Sequence, residues 1–471
     1  MISDKLYDIF LSKTDLELTG EQKEVLHQLA VFVTQPDERI FILRGYAGTG
    51  KSTIISIVAQ FLKSMHMKSH LLAPTGRAAK VMNNYSGMPA YTIHKKIYRQ
   101  KSASDAFGKF ALNFNKSKSA LFIIDEASMI DTETADNSIF GSGNLFADLL
   151  EFVFNDSSNK ILLVGDIAQL PPVKREKSLA LDEAFVKDYS YRPTQSFTLK
   201  KVMRQAADSL IVKNASDIRL INTDELPISV NFRTGDTVKS VSGEEAVNAI
   251  EDSYNSVGQE NTIVITRSNR AAVVYNQGIR NRILWKEDEL AVGDQLMVVK
   301  NNYFWPIPDA AFNFIANGDM IVVDNIKNYE DLYNLRFANI RMHFLDFPEI
   351  EMETKILLDV LSSNEASLNY DMRKHLYETL QKEYAYLRTK RKIYEAIKND
   401  SYFNALEVKF AYAVTCHKSQ GGQWKHVFIE QEQFNRTAPD ADYLKWIYTA
   451  MTRATEKVFL INFNSKFLNN P

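Results

Sequence analysis

The chain has 471 residues, 45% hydrophobic and 24% charged, ordinary values for a soluble globular protein of about three domains. This balance excludes dominant disorder, and no apolar run approaches the roughly 18 residues that a membrane-spanning helix needs. Cys416 is the one cysteine and the net charge is −2, which excludes a disulfide framework, a multi-cysteine zinc site and a globally basic coat, though not a local basic groove. The N-terminus lacks a basic start followed by an apolar core, so no secretory signal, no membrane association and a cytoplasmic location are expected.

Taken in chain order, near-continuous apolar runs at 39–43, 70–73, 121–124, 161–164 and 196–199 read as strands buried on both faces of a parallel sheet. A second α/β region is expected to begin near Val202. It has a strand at 262–266, a helix over 269–284, and strands at 408–414, 426–429 and 458–462. Between them, 294–345 reads as short strands separated by Asn, Asp and Gly turns, and 351–400 reads as helices with Leu376, Leu380, Tyr384, Leu387, Tyr394 and Ile397 on one packing face. The fold class is α/β. The expected domains are 1–200, then 201–293 joined with 406–471, with a module of strands followed by helices inserted at 294–405.

Gly45-Tyr46-Ala47-Gly48-Thr49-Gly50-Lys51-Ser52 fits the phosphate-binding pattern G-x-x-x-x-G-K-[ST], between an apolar strand and a helical stretch that begins with Ser52 and Thr53. Backbone N–H groups of such a loop wrap phosphates, Lys51 bridges the β- and γ-phosphates of ATP, and the Ser52 hydroxyl binds Mg²⁺. Leu121 to Glu126 is an apolar run ending in two carboxylates, which places Asp125 for the metal and Glu126 for orienting or deprotonating the attacking water. Gln169, in Gly165-Asp166-Ile167-Ala168-Gln169-Leu170-Pro171-Pro172, follows another strand and is a candidate γ-phosphate sensor. These motifs specify a nucleoside triphosphatase but not what its energy does.

That information lies in Ala73-Pro74-Thr75-Gly76-Arg77, Tyr91-Thr92-Ile93-His94, Thr415-Cys416-His417-Lys418-Ser419-Gln420-Gly421 and Tyr448-Thr449-Ala450-Met451-Thr452-Arg453-Ala454. In order and wording these motifs resemble the superfamily-one helicases, in the RecD-like and Dda-like branch, from about Leu18 to Ala454. The resemblance implies two RecA-like domains with ATP between them. It implies Gln22 as the adenine reader, Arg204 and Arg453 as arginine fingers, and Thr75, Arg77, Thr92, His94, Thr415, His417 and Lys418 at a single DNA strand. It also implies 5′-to-3′ movement by a monomer on tailed duplexes, in repair, recombination or replication with partner proteins. Cys416 is expected to be a small packing residue.

Residues 95–118 carry seven Lys or Arg against Asp105, with Tyr98, Phe107, Phe110 and Phe114 interleaved. This is the composition of a single-strand groove. Besides a small β-barrel within 294–405, the resemblance implies a small duplex-splitting hairpin here, with one of the three phenylalanines as a candidate wedge. Inward packing of these aromatics is the alternative. For the whole chain, the alternatives are an ATPase switch that does not unwind, an RNA helicase, and a subunit of a nuclease complex.

Overall fold

The structure is a computed structural model, and it describes residues 2–100, 110–134, 140–173, 175–203, 209–223, 228–307, 315–432 and 439–469. These form two compact units. The first comprises the described residues up to 230 together with 439–452, and the second the described residues of 231–432 and 453–469.

The first unit is built on strands β1 (Ile40–Gly45), β2 (Ser69–Ala73), β3 (Ala90–Thr92), β6 (Leu121–Ile124), β7 (Lys160–Gly165) and β8 (Thr194–Leu199), all parallel in the order β3-β2-β6-β7-β1-β8. The apolar runs are continuous because both faces are covered. Phe41, Leu43, Leu121 and Ile123 enter one core, and Ile40, Ile42, Phe122 and Ile124 enter the other. Between β3 and β6, a small antiparallel hairpin pairs β4 (Tyr98–Gln100) with β5 (Phe110–Leu112).

The second unit holds β9 (Phe232–Arg233), which pairs with β20 (Leu468–Asn469), and a second all-parallel sheet. That sheet contains β10 (Val238–Val241), β11 (Thr262–Thr266), β17 (Ala413–Thr415), β18 (Trp424–Glu430) and β19 (Ala454–Ile461), in the order β10-β19-β18-β11-β17. A closed five-stranded barrel is inserted in it, made of β12 (Gln295–Val298), β13 (Met320–Leu332), β14 (Leu335–Phe344), β15 (Phe347–Leu357) and β16 (Leu406–Phe410). Both RecA-like sheets and the barrel match the expected α/β class. Among the described residues, no helix is long and apolar enough to cross a membrane.

Several expectations are corrected. The second α/β region begins near 231 rather than near Val202, because the helix Leu210–Leu220 belongs to the first unit. The helix Ala441–Met451 also belongs there, so the second unit does not hold all of 406–471. The helical reading of 351–357 fails because Met352, Thr354 and Ile356 point inward with the period of two that a strand requires. The helices that follow, Tyr370–Glu383 and Lys390–Lys398, bury Leu376, Leu380 and Ile397 against Leu335, Phe337 and Leu357 of the barrel. The expected strand 408–414 is two strands. β16 closes the barrel, Ala411 and Tyr412 cross over, and β17 joins the parallel sheet.

That crossover is fixed by a buried carboxylate. Asp294 is fully buried and accepts hydrogen bonds from Arg280 Nε (3.1 Å) and NH2 (3.0 Å), Lys286 Nζ (3.1 Å), the Tyr412 hydroxyl (2.9 Å) and the Ala291 N–H (2.8 Å). Arg280 is therefore spent inside the fold, and Asn276 exchanges hydrogen bonds with the Ala413 backbone. Removing one partner of a buried ion pair strands the other charge. We expect Asp294→Ala to destabilise the second unit by about 3–5 kcal/mol, read as a lowered urea midpoint, and an unchanged midpoint would refute the hub.

Candidate nucleotide site and nucleic-acid interface

Strand β1 delivers Gly45 to a loop whose geometry demands glycine. At Gly50, φ is +89° and a Cβ would lie 2.2 Å from Gln22 Nε2. The helix Lys51–Ser64 that follows has no side-chain cap, so its first N–H groups face outward as an anion site. Lys51 Nζ donates to the carbonyls of Gly45 (2.6 Å) and Tyr46 (3.1 Å) and stands 4.0 Å from Asp166 Oδ2. Ser52 is exposed at the helix start, with Thr53 half-buried beside it. Thr49 is buried, and its hydroxyl donates to the Tyr46 carbonyl at 2.8 Å. An uncapped helix start, a glycine cradle and a lysine whose two short hydrogen bonds go to neutral carbonyls fit a nucleotide polyphosphate.

Gln22 is placed differently from a residue awaiting a base. It is fully buried, its Oε1 accepts from the Thr19 N–H (2.9 Å), and its Nε2 donates to the Thr49 carbonyl (3.0 Å). It completes a capping box on the helix Gly20–Thr34 and braces the phosphate loop. The loop is held from another side by the Met203 N–H, which donates to the Gly48 carbonyl at 2.9 Å. Gly48 itself takes positive φ. Arg204, the neighbour of Met203, lies outside the described residues.

Asp125 and Glu126 stand at the carboxyl end of β6, one strand from β7 in the sheet. Tyr85 donates to Asp125 Oδ2 at 2.6 Å, and the Glu126 N–H donates to Oδ1 at 2.8 Å. Burial raises the Asp125 pKa despite these donors, a cost that a bound cation would offset. Glu126 holds the left-handed φ of +51°, the kind of strain that clusters at functional sites. Among the described residues no cluster of three or more His, Cys, Asp or Glu forms a metal cage. One hydroxyl and one carboxylate fit Mg²⁺ carried on phosphates, which keeps most of its water. Gln169 is 4% exposed, near the end of β7, with its side-chain Oε1 buried and without a hydrogen-bond partner among the described residues.

The same end of this sheet gathers the strand-contact candidates of the first unit. Thr75 follows β2 and Thr92 ends β3, adjacent strands on which Ala73 pairs with Thr92. Each threonine caps a helix, Thr75 through the Ala78 N–H (3.2 Å) and Thr92 through the Lys95 N–H (3.2 Å). Capping uses an oxygen lone pair and leaves the hydroxyl proton to donate. Arg77 is buried at the first of these helices. His94 packs on Tyr98 and Phe140, and burial pushes its pKa down to about 4, so it is neutral. Phe110 stacks on Phe140 (4.7 Å between centroids) and packs inward, whereas Phe114 is 66% exposed beyond the hairpin strand. Phe107 lies outside the described residues.

In the second unit, Thr415 ends β17 and His417 and Lys418 follow it, and burial lowers the pKa of both His417 and Lys418. Thr415 and Lys418 line a narrow cleft with Asn269. Cys416 is buried and its thiol is pushed up to about 12, which makes it the packing residue expected. Arg453 is 5% exposed, and its NH1 donates to the Gly422 carbonyl at 3.4 Å.

Two contacts escaped the sequence. Tyr85 carries no motif signal. Tyr448 belongs to the quoted motif around Arg453, yet nothing in its spacing shows that its hydroxyl reaches Asp166 (2.7 Å) and the Ala47 N–H (2.9 Å).

A family model described as AAA domain matches residues 17–226, and one described as UvrD-like helicase C-terminal domain matches 410–461. An uncharacterised protein of Acanthamoeba polyphaga mimivirus is 25% identical over 93% of this chain and 98% of its own length. The ATP-dependent RecD2 DNA helicase of Deinococcus radiodurans is 28% identical over 69% of this chain, which spans 42% of that relative. A solved structure of a Pif1 helicase from Bacteroides, in complex with ADP-AlF3 and ssDNA, is 15% identical with a TM-score of 0.49, covering 97% of this chain and 95% of that one. The phosphate loop and carboxylate pair lie within the AAA-domain match, the motif around Arg453 lies within the UvrD-like helicase C-terminal match, and in its ordered motifs the chain is similar to helicases of the RecD type.

Proposed function

We propose that the chain is an ATP-driven motor that moves 5′-to-3′ along single-stranded DNA and unwinds tailed duplexes as a monomer. One observation carries this reading. A single parallel sheet presents the phosphate loop, Asp125 with Glu126, and the Thr75 and Thr92 helix starts at the ends of its strands, so nucleotide and strand contacts share one rigid scaffold. Lys51 and the loop amides hold phosphates, Ser52 and Asp125 hold Mg²⁺, and Glu126 positions water. Bound Mg²⁺ neutralises charge on the phosphates. Gln169 senses the γ-phosphate, and Arg204 and Arg453 supply planar cations. Thr75, Arg77, Thr92, His94, Thr415, His417 and Lys418 line the strand path, with His94 contributing as a neutral imidazole. Repair, recombination or replication in the cytoplasm is the setting in which such a motor serves.

The test is strand separation with ATP on duplexes carrying either a 5′ or a 3′ single-stranded tail. Opening only from the 5′ tail is expected. Opening from the 3′ tail would keep the motor and overturn its direction. Phe110, packed against Phe140 rather than exposed, favours a second reading as a DNA-stimulated ATPase switch. Hydrolysis stimulated by single strands without opening of either duplex would establish that reading instead.

A further inference from the structure

Tyr448 is 1% exposed on the helix Ala441–Met451. Its hydroxyl does two things at once, donating to Asp166 Oδ2 at 2.7 Å and accepting from the Ala47 N–H of the phosphate loop at 2.9 Å. The oxygen it occupies is the one that Lys51 Nζ faces at 4.0 Å. Asp166 is fully buried, and its other oxygen accepts from the Ala168 N–H at 2.9 Å. The next residue repeats the grip, because Thr449 Oγ1 accepts from the Leu170 N–H at 2.8 Å while donating to the Lys445 carbonyl at 2.7 Å. Burial and the Asp166 charge push the Tyr448 phenol well above its usual range, so it keeps the proton it donates.

A buried carboxylate one short step from an ammonium group closes that gap unless another donor satisfies it, since charge-assisted contacts outweigh neutral ones in a low-dielectric site. Lys51 drawn onto Asp166 would have to be pulled away before it could meet a phosphate. We propose that Tyr448 is a positioning residue for nucleotide binding: by occupying Asp166 Oδ2 and the Ala47 N–H, its hydroxyl keeps Lys51 available to the phosphates and the loop open in its binding form. This rests on the reading of the site as a nucleotide hydrolase. No motif role requires it, and the tyrosine ring alone would fill the same space.

The experiment compares full-length wild type, Tyr448→Phe, Asp166→Asn and the double variant. It measures binding of a fluorescent ATP analogue, steady-state ATP hydrolysis with single-stranded DNA, and melting temperature. Tyr448→Phe is expected to weaken nucleotide binding and raise KM by about fivefold, the effect of one hydrogen bond, with kcat changed by less than about twofold. Adding Asp166→Asn should return KM most of the way to wild type, because the amide carries no charge to hold Lys51. An unchanged KM, or a rise that Asp166→Asn does not relieve, would overturn the proposal, and a lowered melting temperature with unchanged binding would reduce Tyr448 to a packing role. If wild type binds the analogue without hydrolysing ATP, the hydrolase reading fails while the binding arm still decides the role of Tyr448.

Discussion

Lys51→Ala is expected to lower ATP hydrolysis by about 10³-fold or more and to leave the fold standing. The loss follows from what the amine touches. Its hydrogen bonds go to the carbonyls of Gly45 and Tyr46 at the mouth of the uncapped helix Lys51–Ser64, which leaves its charge only weakly paired, with Asp166 at 4.0 Å. Deleting it removes a cation set within the loop, and a developing phosphoryl charge there is left mainly with amide dipoles to meet it. Stability should change little, because Asp166, the nearest acid, keeps the hydrogen bonds of Tyr448 and the Ala168 N–H. Hydrolysis with and without single-stranded DNA, alongside thermal unfolding by circular dichroism, checks both halves. Turnover at the wild-type rate would sink the phosphate-loop assignment. An unfolded variant would show that Lys51 is held for stability.

Why some of this was legible in the sequence and some was not follows from how far apart the causes lie. The runs around Ile40, Leu121 and Ile161 announced doubly buried strands because composition itself records burial on both faces. The phosphate loop was legible because Gly50 must take φ of +89° against Gln22, a local demand that only glycine meets. Over 351–357 the local signal misled. A strand of alternating Met352, Thr354 and Ile356 precedes true helices, and the helical period of Leu376 and Leu380 masks the change of period before it. The split of 408–414 was hidden because two consecutive strands of opposite membership read as one apolar run, and the Asp294 hub that separates them joins residues from Arg280 to Tyr412. Tyr85 and Tyr448 escaped for the same reason, since their hydroxyls act 40 and 282 residues away in sequence. Gln22 shows the limit of resemblance. The motif assigns it to a base, yet in the structure its amide bonds Thr19 and Thr49 and braces the loop.

Arg453→Ala is expected to reduce kcat by about 10³-fold while leaving nucleotide affinity near wild type, the signature of a group that acts on transition-state charge rather than on ground-state binding. The sequence places Arg453 two residues beyond the helix Ala441–Met451, whose Tyr448 and Thr449 are fastened to Asp166, Ala47 and Leu170. Arg453 is also 5% exposed and bonds the Gly422 carbonyl, so its removal tests packing as well as charge. Arg453→Lys separates the two. Lysine restores a buried cation and much of the stem but not the planar five-donor fork, so the melting temperature should recover while kcat stays low. Recovery of kcat with lysine would mean that charge alone suffices. Unchanged turnover in the alanine variant would remove Arg453 from the hydrolytic machinery and leave it as the buried partner of Gly422.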